Sequence, residues 1–289
     1  MDQFKSGFTV IICTFNKCDF LLGCLNQFKS QNFNFDYSFE LIVVDNNSTD
    51  STKKLVEQFI QEGDIPNLKY IFESDPGLTN ARLAGVKNSS FNWVAFIDDD
   101  VRIQEEWVFS AVNFVQSHPQ AGVVGGRIQL EYQEPPSPIA LKCEGLLCKA
   151  DNGEVDYREE SGKPSITIAG AAIILQKKAL VESGWLEQRF LLDRTGKSLS
   201  SGGDTEILCR SKNQGWEVWY CASLKATHLI PSHRTTISYM CRLHRGLARS
   251  SAQLRAIARK GNVPLTQQVR ELCVEVGFTT RRIGAWLFH

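Results

Sequence analysis

Short, uninterrupted apolar runs, each stopping at a polar residue and followed by a segment with helical spacing, set what this chain can fold into. Phe8 to Cys13 is one such β-branched run, and apolar residues from Phe20 to Phe28 then recur at helical intervals. Phe39 to Val44 is a second run; Ser48-Thr49-Asp50 supplies helix-starting polar groups before Leu55, Val56, Phe59 and Ile60. Leu68 to Phe72 and Trp93 to Ile97 read as third and fourth strands, with a helix from Leu78 to Val86 between them. A strand without polar alternation is buried on both faces, and helices between such strands supply the crossovers that parallel pairing needs. The first half therefore predicts an α/β fold, a mostly parallel, Rossmann-like sheet sandwiched by helices.

The second half is less regular. Val123 to Tyr132 and Ile166 to Leu175 predict strands, Asp204 to Asn213 a helix, and Trp216 to Tyr220 a short extended piece. Glu134 to Pro164, rich in Pro, Gly and charge, reads as a long excursion of the kind that forms lids or binding loops. After Pro231 the pattern is helical to the end, a C-terminal extension over 234–289. The 289 residues suffice for one large α/β domain with an elaborated C-terminal part, or for two small domains.

Charge is balanced overall, with 32 basic and 32 acidic residues, which argues against a dedicated nucleic-acid binder. The balance hides an asymmetry: from Arg234 to His289 ten basic residues face two acidic ones, Glu271 and Glu275. Such a tail suits phosphates or an anionic membrane surface. The nine cysteines show no CxxC pair and read as thiols of a reducing compartment. With no signal-peptide pattern and no run of membrane-spanning length, a cytoplasmic protein is expected.

In an open parallel sheet, ligands bind beyond the carboxyl ends of the strands. Here those ends carry Thr14-Phe15-Asn16, Asp45-Asn46-Asn47-Ser48 and Asp98-Asp99-Asp100. Four converging carboxylates repel one another unless cations or donors sit among them. Neither of the common glycine-rich phosphate cradles follows the first strand. A bound nucleotide diphosphate would need its charge offset otherwise, and hard oxygen ligands such as Asp98 and Asp100 suit Mg²⁺ or Mn²⁺.

Thr14-Phe15-Asn16, Val43 to Asp50, Gly77-Leu78-Thr79-Asn80-Ala81-Arg82 and Phe96 to Asp100 resemble the ordered motifs of family 2 glycosyltransferases with the GT-A fold. Gly203-Asp204-Thr205-Glu206 and His228 extend the resemblance, which covers residues 8–250. One such motif is weakly specific; five in order are strong. The resemblance implies inverting transfer of a sugar from a nucleotide-diphosphate donor, UDP-linked, to a hydroxyl of a glycan or lipid-linked acceptor, with Mn²⁺ or Mg²⁺ as cofactor. It implies a catalytic domain over 1–233, with donor and acceptor halves at 1–132 and 133–233. Asp45 would hydrogen-bond the nucleobase, with Thr14 and Asn16 in the same pocket and Phe15, Asn47 and Asp75 among the donor contacts. Arg82 would sit near the base and phosphates. Asp98-Asp99-Asp100 takes the place of the DxD motif, Asp98 and Asp99 facing the donor and Asp100 ligating the metal with His228. Gly170 would let the backbone pass close to the donor, and Asp204 would be the catalytic base.

One departure stands out: many members carry Glu-Asp where this chain has Gly203-Asp204. Glu206 is a second candidate base, but residues two apart on a helix face different ways. Each assignment also has a plainer reading. Asp98 to Asp100 alone would be a solvated turn, Asp45 a helix cap, Arg82 a surface ion-pair partner and His228 a packed histidine. Asp204 equally suits the acidic first turn of a helix behind Ser201. Arg242, Arg245 and Arg249 share one helical face, by default a solvated one, and Trp185 and Trp216 read as core aromatics. A nucleotidyltransferase is the nearest enzyme rival, but Thr14 to Cys18 is not its glycine-rich basic loop. A non-catalytic nucleotide-sugar-binding subunit draws weight from Gly203. Residues 263–289 mix apolar and basic side chains suited to a membrane surface, to the catalytic domain or to a second subunit of a homo-oligomer.

Overall fold

The computed structural model describes residues 4–160, 165–191, 193 and 201–258. The four predicted strands, β1 (Lys5–Thr14), β2 (Phe39–Asp45), β3 (Leu68–Phe72) and β4 (Phe91–Asp98), pair in parallel in the order β3-β2-β1-β4. Their crossovers are α1 (Cys18–Lys29), α2 (Thr52–Glu62) and α3 (Leu78–Asn88). All seven residues of β2 are buried, as expected of a strand covered on both faces. Successive side chains alternate between two cores. Val10, Ile12, Leu41, Val43, Ala95 and Ile97 meet α1 and α2 on one side. Ile11, Ile42, Val44, Val94 and Phe96 meet α3 on the other.

Beyond β4 the sheet becomes mixed. The elements that follow are β5 (Val101–Ile103), α4 (Trp107–Ser117), β6 (Ala121–Tyr132), α5 (Pro138–Lys142), a 3-10 turn (Glu144–Leu147), β7 (Tyr157–Arg158), β8 (Ala172–Gln176) and α6 (Lys177–Glu182). After them come α7 (Gly203–Asn213), β9 (Glu217–Ile230), a second 3-10 turn (Ser232–Thr235) and α8 (Ile237–Ala258). β8 runs antiparallel to both β4 and β6, and β6 runs parallel to β9. The full order is β3-β2-β1-β4-β8-β6-β9-β5, with β7 on the flank of β9. α4 joins the first core through Trp107, Val108, Ala111 and Val112, whereas Leu180 of α6 and Ile207 of α7 join the second.

Two predicted extents differ from those observed. Ile166 to Leu175 is a strand only from Ala172, because the backbone before it turns to meet α7 at Gly170. Trp216 to Tyr220 grows into the 14-residue β9, held along its length by β6 and at its far end by β5. β5, α4 and α6 have no counterpart in the sequence reading. Its long excursion contains α5, the first 3-10 turn and β7; α5 and that turn, with the end of β9 and α8, enclose a third apolar cluster of Ile139, Leu147, Ile230, Tyr239, Met240 and Leu243. Trp185 is a core residue, while Trp216 is half-buried and donates its indole N–H to Glu182.

Among the described residues no helix is long and apolar enough to cross a membrane. Arg242, Arg245 and Arg249 are exposed on α8. Residues 263–289, where the membrane-surface expectation falls, lie outside the described residues.

Candidate donor site

The carboxyl ends of β1, β2 and β4 open onto a cavity of about 470 Å³. Thr14, Phe15, Asn47, Asp98, Asp99, Asp100 and His228 line it, all of them singled out in the sequence. So do Lys17, Asn46, Gly77, Leu78, Cys148 and Arg234, which were not assigned a role there. Parallel register explains the convergence, because Thr14 pairs with Asp45 and Cys13 with Asp98 at the same sheet edge. His228 arrives from the other half: β5 leaves Asp100 directly, and its first residue, Val101, pairs with His228 on β9.

The three aspartates differ in environment. Asp98 is partly exposed on the cavity wall, whereas Asp99 and Asp100 are 5% and 3% exposed. Asp99 accepts hydrogen bonds from Thr14 Oγ1 at 2.9 Å and Lys17 Nζ at 2.8 Å. Asp100 meets Lys17 Nζ at 3.0 Å, Arg234 Nη1 at 3.1 Å and His228 Nε2 at 3.3 Å. Burial pushes the Asp99 carboxyl up to about 6, against the pull of Lys17 and with the added repulsion of Asp100. Burial acts on Asp100 in the same sense, but His228, Lys17 and Arg234 together outweigh it and hold its carboxyl well below the usual range. The repulsion anticipated among clustered carboxylates is thus offset by two internal cations from distant parts of the chain. The Cys13 thiol on the same wall is pushed up by burial to about 12, so it stays protonated at neutral pH.

The imidazole of His228 bears on the metal question. Its Nδ1 lies 2.9 Å from the carbonyl oxygen of Leu147, which can only accept, so Nδ1 carries the proton. In neutral histidine, Nε2 then presents a bare lone pair to a carboxylate oxygen 3.3 Å away. Two acceptors face each other favourably only if the ring takes a second proton or a cation lies against both. A ring N–H fixed on a backbone carbonyl is also the usual support of a metal-bound histidine. Among the described residues no group of three or more His, Cys, Asp or Glu side chains could hold a metal by itself. Asp100 and His228 instead form a two-ligand corner of the kind that Mg²⁺ or Mn²⁺ completes with substrate phosphates and water. The residues present fit such an ion.

Several predicted residues lie behind the cavity wall rather than on it. Asp45 is buried, its oxygens accepting hydrogen bonds from Ser48 N–H and Tyr70 O–H, each at 2.8 Å. It fixes the turn that presents Asn46 and Asn47 to the cavity. Asn16 and Asn47 adopt left-handed backbone angles, φ 51° and 67°, which asparagine tolerates better than most residues. Asn16 laces the first two loops together: its N–H donates to Ser48 Oγ, and its Oδ1 accepts from Thr49 N–H. The Asp75 side chain is exposed, and its carbonyl accepts from the Asn46 amide, whose oxygen in turn takes the Gly77 N–H. The helix-capping reading of Asp45 does not hold, since α2 starts at Thr52 and its first turn is held by Asp50.

Arg82 is 4% exposed and so is not a surface ion-pair partner. Its guanidinium stacks on Phe96, donates to the Gly170 carbonyl at 3.1 Å, and lies 3.5 Å from Asp98 and 3.7 Å from Asp193. The Gly170 N–H donates to Asp204 Oδ2 at 2.9 Å. A continuous chain of contacts thus runs from Asp98 through Arg82 and Gly170 to Asp204. A Cβ on residue 170 would stand 2.5 Å from Asp204 Oδ2, so the close approach that glycine permits here is to Asp204. Asp204 Oδ1 accepts from the Thr205 N–H in the first turn of α7, whose N-cap is Gly202 rather than a side chain. Glu206 is fully buried and accepts from the N–H groups of Phe190 and Leu191. It pins that segment and does not compete with Asp204.

Nothing local in the sequence marks Lys17, Arg234 or Asp193. Lys17 stands one residue beyond a recognised motif, Arg234 falls in the stretch read as a helical extension, and Asp193 belongs to no periodic element.

The same architecture recurs in solved structures. TarS 1–349 of S. aureus, in complex with UDP, matches with a TM-score of 0.62 at 17% identity, covering 95% of this chain and 72% of that one. Mannosyltransferase PcManGT from Pyrobaculum calidifontis, in complex with GDP-Man and Mn²⁺, matches with a TM-score of 0.59 at 17% identity, covering 96% and 76%. These likenesses define the fold as GT-A. Residues 9–174 match the model of glycosyl transferase family 2, and the chain belongs to that family. Among its relatives, the glycosyltransferase AglE of Haloferax volcanii is 33% identical over 125 residues, 43% of this chain and 40% of AglE. Chondroitin synthase of Escherichia coli is 24% identical over 213 residues, 64% of this chain and 30% of that protein. The chain therefore spans less than half the length of these two relatives.

Proposed function

We propose that the chain transfers a glycosyl group from a UDP-linked donor to a hydroxyl of a glycan or glycolipid acceptor, inverting the anomeric carbon. The observation that carries this reading is the Asp100–His228 corner inside a cavity that also holds Lys17 and Arg234. Carboxylate, imidazole and two cations together suit a diphosphate with a divalent ion. The base would lie toward Phe15, Asn46 and Asn47, with Asp45 fixing their loop from behind. Asp98, the exposed member of the triplet, would face the ribose and sugar. Residues 1–132 would then supply most of the donor site, completed by His228 and Arg234, and 133–233 the acceptor side.

Lys17 and Arg234 would turn from the carboxylates to the diphosphate as it enters, a charge-assisted exchange of one anion for another. A divalent cation, held by Asp100 and His228, would offset the negative charge that grows on the departing diphosphate. Asp204 would take the acceptor proton as that oxygen bonds to the anomeric carbon and the bond to the diphosphate breaks. Each of its oxygens accepts one backbone N–H within the first turn or from Gly170, leaving lone pairs for the acceptor hydroxyl. No covalent glycosyl-enzyme is required.

The test is a donor panel with Mn²⁺ or Mg²⁺ present, scored for release of nucleoside diphosphate and sugar transfer. Turnover of a nucleotide sugar that stops in chelator and returns with metal is expected. Full activity in chelator, or release of pyrophosphate from nucleoside triphosphates instead, would refute the proposal.

A further inference from the structure

We infer that Asp193 is a positioning residue for Asp204, its carboxylate taking the space that a side chain at position 203 would need. This rests on the reading of Asp204 as the base.

Gly203 is the first residue of α7, and its φ is not among the positive ones, so the backbone alone does not demand glycine there. What excludes a side chain is Asp193. A Cβ on residue 203 would stand 2.3 Å from Asp193 Oδ2 and 2.9 Å from its Cγ. The other oxygen, Oδ1, accepts the Gly203 N–H at 2.9 Å. The missing side chain and the intruding carboxylate therefore occupy the same space. A negative group there is favoured by the unsatisfied N–H groups at the start of the helix.

Asp193 also reaches the other support of Asp204. It is 4% exposed, its N–H donates to Thr79 Oγ1 at 3.2 Å, and its Oδ2 lies 3.7 Å from Arg82. Arg82 holds the Gly170 carbonyl, and the Gly170 N–H holds Asp204. Asp193 therefore grips Asp204 from two directions, through the helix residue before it and through Arg82. Burial weakens the charge of Arg82, and Asp98, Asp193 and Asp204 together more than compensate.

Because Asp193 and a side chain at position 203 compete for one space, exchanging them is the test. In the full chain, Asp193→Ala should lower kcat about tenfold or more while the donor KM stays within about twofold. Gly203→Glu alone should lower kcat further, because its side chain collides with Asp193. The double variant Asp193→Ala/Gly203→Glu should recover at least about tenfold over Gly203→Glu, the coupling expected of two residues sharing one site. A double variant no better than Gly203→Glu would overturn the inference. So would an Asp193→Ala enzyme whose donor KM rises as much as its kcat falls. Should Asp193→Ala not fold, Asp193→Asn keeps an acceptor for the Gly203 N–H; lowered kcat at unchanged Tm is expected, and wild-type kcat would overturn the proposal. Asp204→Asn is measured alongside: turnover there would remove the base assignment itself, whatever the Asp193 series shows.

Discussion

Around Thr14, Asn46 and Asp98 the site is made by neighbours in sequence, each loop following directly from a parallel strand. Around His228, Arg234 and Asp193 it is made by segments that meet only through the register of β9 and the start of α7. The first construction is local and tolerant, since a strand end lies at the sheet edge wherever the loop after it goes. The second depends on long-range pairing, because moving β9 by one residue against β5 would turn His228 away from Asp100. The catalytic contribution should therefore concentrate in the second region, although the first holds more of the cavity wall.

The largest effect is expected at Asp204. Asp204→Asn should cut transfer by about 10²–10⁴-fold, as loss of a general base does, with UDP affinity unchanged by calorimetry. Comparable turnover would break the contrast at its strongest point. Arg234→Ala should follow, lowering kcat by about 10²-fold if it meets charge developing on the diphosphate. Arg234→Lys should recover only part of that, because ammonium and guanidinium differ in geometry. On the local side the expected effects fall on stability instead. A Cβ on Gly85 would come within 2.4 Å of Ile11 Cγ2, so Gly85→Ala forces α3 off the sheet. It should destabilise by about 1–3 kcal/mol, read as a lower Tm, with Arg82 displaced as a consequence.

The smallest effect is a pH dependence at the amino end of the sheet, away from the site. Burial of Glu40 tends to raise its pKa, but bonds from Lys69, Ser90 and Thr9 outweigh it and lower the folded-state value. A depressed carboxyl contributes stability that is present above its unfolded pKa and lost as pH falls through its folded one. Below about pH 4.3, urea midpoints of the wild type should therefore fall more steeply than those of Glu40→Gln. Parallel curves would show that Glu40 adds nothing specific.

The legibility of the sequence follows the same divide. β1 to β4 and α1 to α3 are marked by apolar runs and polar stops, because a parallel strand must be apolar on both faces. Asp98 to Asp100 and His228 stand out only through the family resemblance, since alone they read as a solvated turn and a packed histidine. What sequence does not carry is which carboxylate points inward. Asp45 looks like a ligand contact, yet the Tyr70 hydroxyl that engages it comes from the next strand, 25 residues away. Arg82 looks like a surface ion pair because Phe96, Asp193 and the Gly170 carbonyl, which bury it, are remote in sequence. Arg234 and Lys17 carry no mark for the converse reason: nothing near either in sequence shows that Asp100 draws both to one point. Gly203 reads as a bare departure in the sequence, because the Asp193 carboxylate that fills the space beside it lies ten residues away.

The most direct measurement is UDP binding by calorimetry with and without Mn²⁺, in the wild type and in His228→Ala. If Asp100 and His228 gather a cation beside the diphosphate, Mn²⁺ should strengthen UDP binding by at least about tenfold in the wild type and leave His228→Ala unchanged. Equal binding without the metal, or a gain that survives the loss of His228, would contradict that arrangement.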